Sequence, residues 1–285
     1  MSNDIASRIS THLSSFSKGQ KRIANAILTS YEKVAYMTAA RLGSFCEVSE
    51  STVVRFAIDL GYKGYPEMQL AVQELVKIKL TPNQRIEVSE QQIGDKDIPE
   101  KVLIQDADRI RFTLEHLDKD AFGKAVKAII GAGQIYIFGA RSSASLAYFL
   151  NYNLELIKDN VKFIQPSSAS EVFEQLLSIH KGDVLFAISF PRYSKKVIDA
   201  VKYAHEQNAT VIALSDSNAS PLAVYADHLL AAQSGMASFA DSLVAPLSLL
   251  NALLTSIANE SRNEIKARFD LLERVWDEYN VYDKH

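Results

Sequence analysis

Through the first eighty residues, apolar positions recur three and four apart, the period of helices with one buried face. The spacing predicts helices over Ile5–Leu13, Lys18–Tyr31, two short segments on either side of Glu47–Val48–Ser49, and Pro66–Lys79. Residues 80–97, LTPNQRIEVSEQQIGDKD, then lose sustained periodicity and read as a polar linker. Beyond Pro99 two amphipathic runs, one carrying Val102, Leu103, Ile110 and Leu114 and the other spanning Phe122–Ile130, lead to a different texture. From Gln134 onward, short apolar runs alternate with helical patterns. Strands are expected at Ile135–Gly139, Val161–Gln165, Val184–Phe190, Thr210–Ser215 and His228–Ala232. The helices between them are expected at Ser143–Ile157, Ser170–Ile179, Lys195–Glu206 and Pro221–Tyr225, with a long Ser242–Asn259 at the end. The fold class that follows is an all-α N-terminal domain (1–79), a linker (80–97) and an α/β domain (98–285) built on a five-stranded parallel, doubly wound sheet.

The two short helices carry the most informative pattern. The first can start on Thr38 as N-cap and places Ala39, Leu42, Phe45 and Cys46 on one face. The second, within SESTVVRFAIDLG (49–61), turns Val53, Phe56, Ala57 and Leu60 inward and Ser51, Thr52 and Arg55 outward. With Gly43 small enough for a close crossing and Val48 filling the turn, the pair reads as a helix-turn-helix. In that motif the second helix enters the major groove by its N-terminal end, so Ser49, Ser51, Thr52 and Arg55 are expected at base edges or phosphates, and Lys63 near the DNA backbone. The plainer alternative is an ordinary helical pair. Charge separates the two readings only slightly: residues 1–80 hold 10 Lys/Arg against 7 Asp/Glu, the remainder 21 against 27. A small basic excess favours phosphate contact chiefly when several modules act together.

In open parallel sheets, ligands bind beyond the C-terminal strand ends. Here those ends read Gly139-Ala140-Arg141-Ser142-Ser143, Pro166-Ser167-Ser168 and Ser189-Phe190-Pro191-Arg192-Tyr193-Ser194, each directly before a helix. Serine at a helix start is explained by capping alone. Three such loops on one edge, two with an arginine, suit a phosphate better, because hydroxyls, free N–H groups and guanidinium all complement it. The expected ligand residues are Gly139, Arg141, Ser142, Ser143, Ser167, Ser168, Ser189, Arg192 and Ser194. The Gly-Lys-Ser/Thr ending of a nucleotide P-loop and the glycines of a dinucleotide fingerprint are missing, which points to a small phosphorylated ligand.

Composition narrows the rest. A length of 285 residues with 47% hydrophobic positions supports two cores. The single cysteine, Cys46, rules out an intrachain disulfide and a Cys-rich metal site, and the six histidines (His12, His116, His180, His205, His228, His285) show no ligand spacing, so no metal and no cofactor are expected. No charged segment precedes an apolar stretch at the start and no apolar run is long enough to span a bilayer, so the expectation is a cytoplasmic protein without membrane association.

Residues 38–65, with VSESTVVRFAIDLGYKGY, resemble the helix-turn-helix of the RpiR/MurR family of bacterial transcriptional regulators, and residues 106–260 resemble the sugar isomerase (SIS) domain of the same family. The family's first loop, of Gly-x-Gly-x-Ser type, is matched at Gly139 and Ser143 while Arg141 replaces the second glycine. In its third loop, Ser-x-Ser-Gly-x-Thr/Ser, Ser189 and Ser194 match while Pro191 and Arg192 do not. The resemblance implies a regulator that binds operator DNA as a homodimer or homotetramer and responds to a sugar phosphate in the SIS domain, with no catalytic residues. Helices within 98–131 and the linker lie between the two sites in sequence and form the obvious route of coupling. The alternative is a phosphosugar isomerase with a helical appendage, whose proton transfer would need a base such as Glu171, His180 or Glu260. A third reading, a protein-interaction module with a degenerate pocket, predicts no ligand stabilisation.

Overall fold

The computed structural model describes residues 5–79, 81–94, 96–166, 168 and 170–282. The chain divides into two compact units, one running to Gly94 and including Ser238–Ala240, the other comprising the remainder.

The N-terminal unit is helical: α1 (Ile5–His12), α2 (Lys18–Thr29), α3 (Tyr31–Val34), α4 (Ala39–Phe45), α5 (Glu50–Asp59), α6 (Tyr65–Lys79) and α7 (Pro82–Ile93). Its core gathers the apolar stripes of the amphipathic helices, with Ile5, Ile9, Ile23, Ile27, Leu42, Val53, Phe56 and Met68 all essentially inaccessible. Phe56 packs on Phe16 with ring centroids 5.1 Å apart. The expected helix over Lys18–Tyr31 stops at Thr29, and a separate turn of helix, α3, follows it.

The segment expected to be a linker carries α7 instead. Thr81 and Gln84 form a reciprocal capping box around Pro82 at the first helical position. Two buried residues of this helix are Arg85 and Ser89, so its inner face is polar and leaves no apolar stripe to find.

The second unit contains α8 (Ile98–Glu115), α9 (Lys119–Gly131), β1 (Ile135–Gly139), α10 (Ser143–Ile157), β2 (Val161–Phe163), α11 (Ser170–Leu176), β3 (Val184–Ile188), α12 (Lys195–Glu206), β4 (Thr210–Ser215), β5 (His228–Ala231), a two-residue hairpin of β6 (Gly235–Met236) and β7 (Asp241–Ser242), α13 (Val244–Glu260) and α14 (Arg262–Glu278). The five long strands form one parallel sheet in the order β2-β1-β3-β4-β5. Alternation along the strands sends Ile135, Ile137, Val184, Phe186 and Ile188 into a layer with α9, α10 and α13. Tyr136, Phe138, Leu185 and Ala187 go into the opposite layer with α11 and α12. Both faces are covered, which is why the strands read as continuous apolar runs. A helix expected at Pro221–Tyr225 is a series of turns instead; only Leu222 among its apolar residues is fully buried, too little to hold a helical stripe. Along α8 a polar latch holds the hairpin. Arg109 pairs with Asp106 at 2.8 Å, Asp106 accepts from the Ser242 hydroxyl at 2.6 Å, and the Gln233 N–H donates to Thr113 Oγ1 at 3.0 Å.

Among the described residues no helix is long and apolar enough to cross a membrane.

Candidate functional site

Two regions carry the chemistry, one in each unit. In the N-terminal unit, α4 starts on Thr38, whose hydroxyl accepts from the Arg41 N–H at 3.3 Å. It ends in a tight turn where Glu47 takes a left-handed backbone (φ 52). Gly43 is required by that crossing: a Cβ there would stand 2.8 Å from the Val48 carbonyl oxygen, a backbone atom that cannot step aside. Arg22 of α2 straps the turn from outside, pairing with the Glu47 carboxylate at 2.9 Å and donating to its carbonyl at 2.6 Å. Cys46 is buried beneath, and burial raises its thiol pKa despite the nearby Arg22, so it has the character of a packing group.

Ser49 caps α5. Its hydroxyl accepts the Thr52 N–H at 3.2 Å and lies 2.9 Å from the Ser51 hydroxyl and 2.8 Å from that of Thr52. Val53, Phe56, Ala57 and Leu60 are buried as expected, while Ser51, Arg55 and Lys63 are exposed and Thr52 half-buried. Phe45, expected on the inner face, is half exposed because α4 ends there and the chain turns away. The far end of α5 closes on Gly61 at φ 84, with the Tyr62 N–H returning to the Ala57 carbonyl at 3.0 Å. Arg8 caps the same end, donating to the Leu60 carbonyl at 2.9 Å.

In the second unit the sheet order reverses direction between β1 and β3, the switch point at which ligands bind in such folds. A cleft of about 620 Å³ opens at that edge, lined by Gly139, Ala140, Arg141 and Ala144 after β1, by Phe163, Ile164, Gln165 and Pro166 after β2, and by Ser194, Lys195 and Lys196 after β3. Of the residues expected to bind ligand, Gly139, Arg141 and Ser194 line the cleft. Gly139 also has a packing duty, since a Cβ there would fall 2.5 Å from the Ser143 carbonyl oxygen as α10 passes over β1.

The remaining expected residues are placed differently. Ser142 is exposed at the start of α10, and Ser143 is buried behind it. Ser168 accepts the Glu171 N–H at 3.3 Å and so belongs to the start of α11. Ser189 is buried and frames its own loop: its hydroxyl accepts the Ser194 N–H at 3.2 Å and its carbonyl accepts the Ser215 hydroxyl at 2.6 Å. Tyr193 fastens that loop to Asp216 at 2.7 Å. Arg192 does not line the cleft, and Ser167 lies outside the described residues, as does His285.

Sequence reading missed Gln165, Lys195 and Lys196. The lysines carried a signal: both stand in the first turn of α12, where the helix dipole disfavours a cation by ~0.3–1 kcal/mol each. A second anomaly is backbone strain. Arg141 and Arg192 hold φ of 59 and 61, a left-handed conformation that costs an L residue about 1–2 kcal/mol and glycine almost nothing. The α10 N-cap Ser142 and the α12 N-cap Ser194 make no side-chain cap hydrogen bond. Among the described residues no three His, Cys, Asp or Glu side chains are close enough to hold a metal ion.

Comparison with known proteins bears on both regions. The helix-turn-helix domain of the rpiR family matches residues 3–93, and the SIS domain matches residues 128–256. The chain belongs to the RpiR family of helix-turn-helix regulators. It is 28% identical to HexR, an HTH-type transcriptional regulator of Escherichia coli, over 76% of this chain and 73% of that one. It is similar in structure to the NanR protein of Vibrio vulnificus complexed with ManNAc-6P, at 25% identity and a TM-score of 0.61, covering 97% of this chain and 99% of that one. The sugar isomerase domain of an RpiR transcription factor from Sphaerobacter thermophilus matches at 27% identity and a TM-score of 0.59, covering 62% of this chain and 98% of that one.

Proposed function

We propose that this RpiR-family regulator binds operator DNA through α5 and takes a sugar phosphate in the cleft at the β1/β3 edge, the ligand shifting operator affinity. The observation that carries the reading is that a capped helix-turn-helix with exposed Ser51, Arg55 and Lys63 shares a chain with a switch-point cleft lined by Arg141, Lys195 and Lys196. The NanR neighbour, solved with ManNAc-6P, supports a sugar phosphate as the ligand class. The hydroxyls of Ser142, buried Ser143 and Ser194 at the helix starts make no hydrogen bond among the described residues, and of the three Ser194 lines the cleft. Binding rather than catalysis is favoured because no Asp, Glu or His is among the described residues lining the cleft. Of the candidate bases, Glu171 in the first turn of α11 and Glu260 at the end of α13 are not among the described lining, and His180 lies where the chain enters β3 at the opposite sheet edge. A regulator of this kind acts in the cytoplasm and off the membrane, as a homodimer or homotetramer that adds the modest basic excess of several modules.

For the ligand to signal, it must bind the DNA-competent and incompetent states with different affinity. The test is an anisotropy titration of operator DNA selected from genomic fragments, with and without each of a panel of sugar phosphates, run beside an isomerase turnover assay. A ligand-dependent shift in operator affinity without turnover is expected. Turnover, or operator affinity indifferent to every ligand that binds, overturns the proposal.

A further inference from the structure

The cleft holds more positive charge than a single phosphate neutralises. Arg141, Lys195 and Lys196 line it with no acidic residue among the described lining, and none of these three side chains has an ion-pair or hydrogen-bond partner among the described residues. The N-termini of α10 and α12, helices of 15 and 12 residues, each add the equivalent of about +0.5 charge. A phosphate monoester carries only about −1.5 to −2 at neutral pH, so roughly two positive charges are left without a counterpart.

Folding does not explain why these cations stand here. Lys195 and Lys196 oppose the dipole of their own helix, and Arg141 sits in a backbone conformation that suits glycine. Arrangements that oppose local preference and converge on one cleft are the mark of a binding demand.

We propose that the effector carries two separated anionic groups: a phosphate and either a second phosphate or a carboxylate. The phosphate lies against the start of α12, where Ser194, Lys195 and Lys196 meet the helix N-terminus. The second anion is taken by Arg141, whose planar guanidinium grips a carboxylate or phosphate with two parallel hydrogen bonds. A volume of about 620 Å³ lies within the usual range for small-molecule sites and admits a hexose with a group at each end. This inference rests on reading the cleft as the effector site.

The experiment is calorimetric titration of the full-length protein at one fixed ionic strength with 6-phosphogluconate, fructose 1,6-bisphosphate, glucose 6-phosphate and N-acetylmannosamine 6-phosphate. At least one of the two doubly anionic probes should bind 10-fold or more tightly than either monophosphate, and which one leads identifies the second anion. Arg141→Gly should reduce that lead to less than 3-fold while raising the melting temperature, since the strained position is relieved. Arg141→Gln should reduce it likewise without the stabilisation. Equal affinity for both classes, or a lead that survives both variants, overturns the inference and leaves the effector reading intact. Failure of all four probes to bind overturns both.

Discussion

The same residue type does opposite work in the two units. In the N-terminal unit Ser17, Thr38, Ser49 and Thr81 each start a helix and accept a backbone N–H of that helix. In the second unit Ser142 and Ser194 stand at the same position of α10 and α12, and neither does. Ser30 and Ser261 are also uncapped, but each lies where one helix runs into the next and its own N–H still serves the preceding helix. A hydroxyl committed to its helix lends stability; that of Ser194, which lines the cleft, is left uncommitted. A serine before a helix therefore has two meanings in sequence, and only the geometry distinguishes them.

That contrast can be broken most forcefully in the N-terminal core. Phe56→Ala should cost about 3–5 kcal/mol of unfolding free energy, because the ring is fully buried against Phe16. Urea denaturation followed by circular dichroism checks it, and a cost below 1 kcal/mol would mean that the helix pair is not seated on that ring. On the exposed face of the same helix, Arg55→Ala should leave the melting temperature within a degree or two and weaken operator binding by ~1–3 kcal/mol, the worth of a bidentate base contact. Anisotropy with specific and scrambled DNA separates this from a uniform phosphate effect.

The caps themselves supply the sharpest pair. Ser49→Ala should destabilise by ~0.5–2 kcal/mol through the lost cap, whereas Ser194→Ala, with no cap to lose, should change stability by less than about 0.5 kcal/mol and instead weaken sugar-phosphate binding. Equal destabilisation of the two variants would erase the distinction drawn above. Tyr65 belongs with the committed hydroxyls, since its phenol donates to the Met37 carbonyl at 2.6 Å. Burial, with a smaller contribution from Cys46, pushes its pKa up to about 12 from the ordinary 10. A folded pKa above the unfolded one means that this stabilisation is complete below pH 10 and is lost as pH rises through 12. Tyr65→Phe should cost about 0.5–1.5 kcal/mol at pH 7 and flatten the alkaline decline, as thermal melts between pH 8 and 12 would show.

Apolar rhythm made most of this architecture legible. The five strands and the helices of the helix-turn-helix announce themselves because burial on one or both faces writes a period of two, a continuous run, or 3.6 into the sequence. What escaped notice buries polar groups or little at all. Helix α7 turns Arg85 and Ser89 inward, and α14, although it carries Ile265, Phe269, Leu272 and Trp276 along one face, buries none of them fully. The site was half readable. Serines and arginines at the strand ends mark the sheet edge where the cleft lies, yet the Ser189 hydroxyl braces its own loop, and Lys195 and Lys196, which line the cleft, stand inside a helix where spacing gives no sign of it. Spacing reveals which end of a strand a residue occupies, and says nothing of which way its side chain is held.

The two arginines in glycine-like backbone have a consequence for descent. Each position is one at which replacement by glycine relieves strain, so mutation can proceed downhill in folding energy at any time. An arginine at either position is held against the local preference of its own backbone. At both sites glycine is the replacement the backbone accepts most readily, whereas the packed glycine beneath α10 has no room for any side chain.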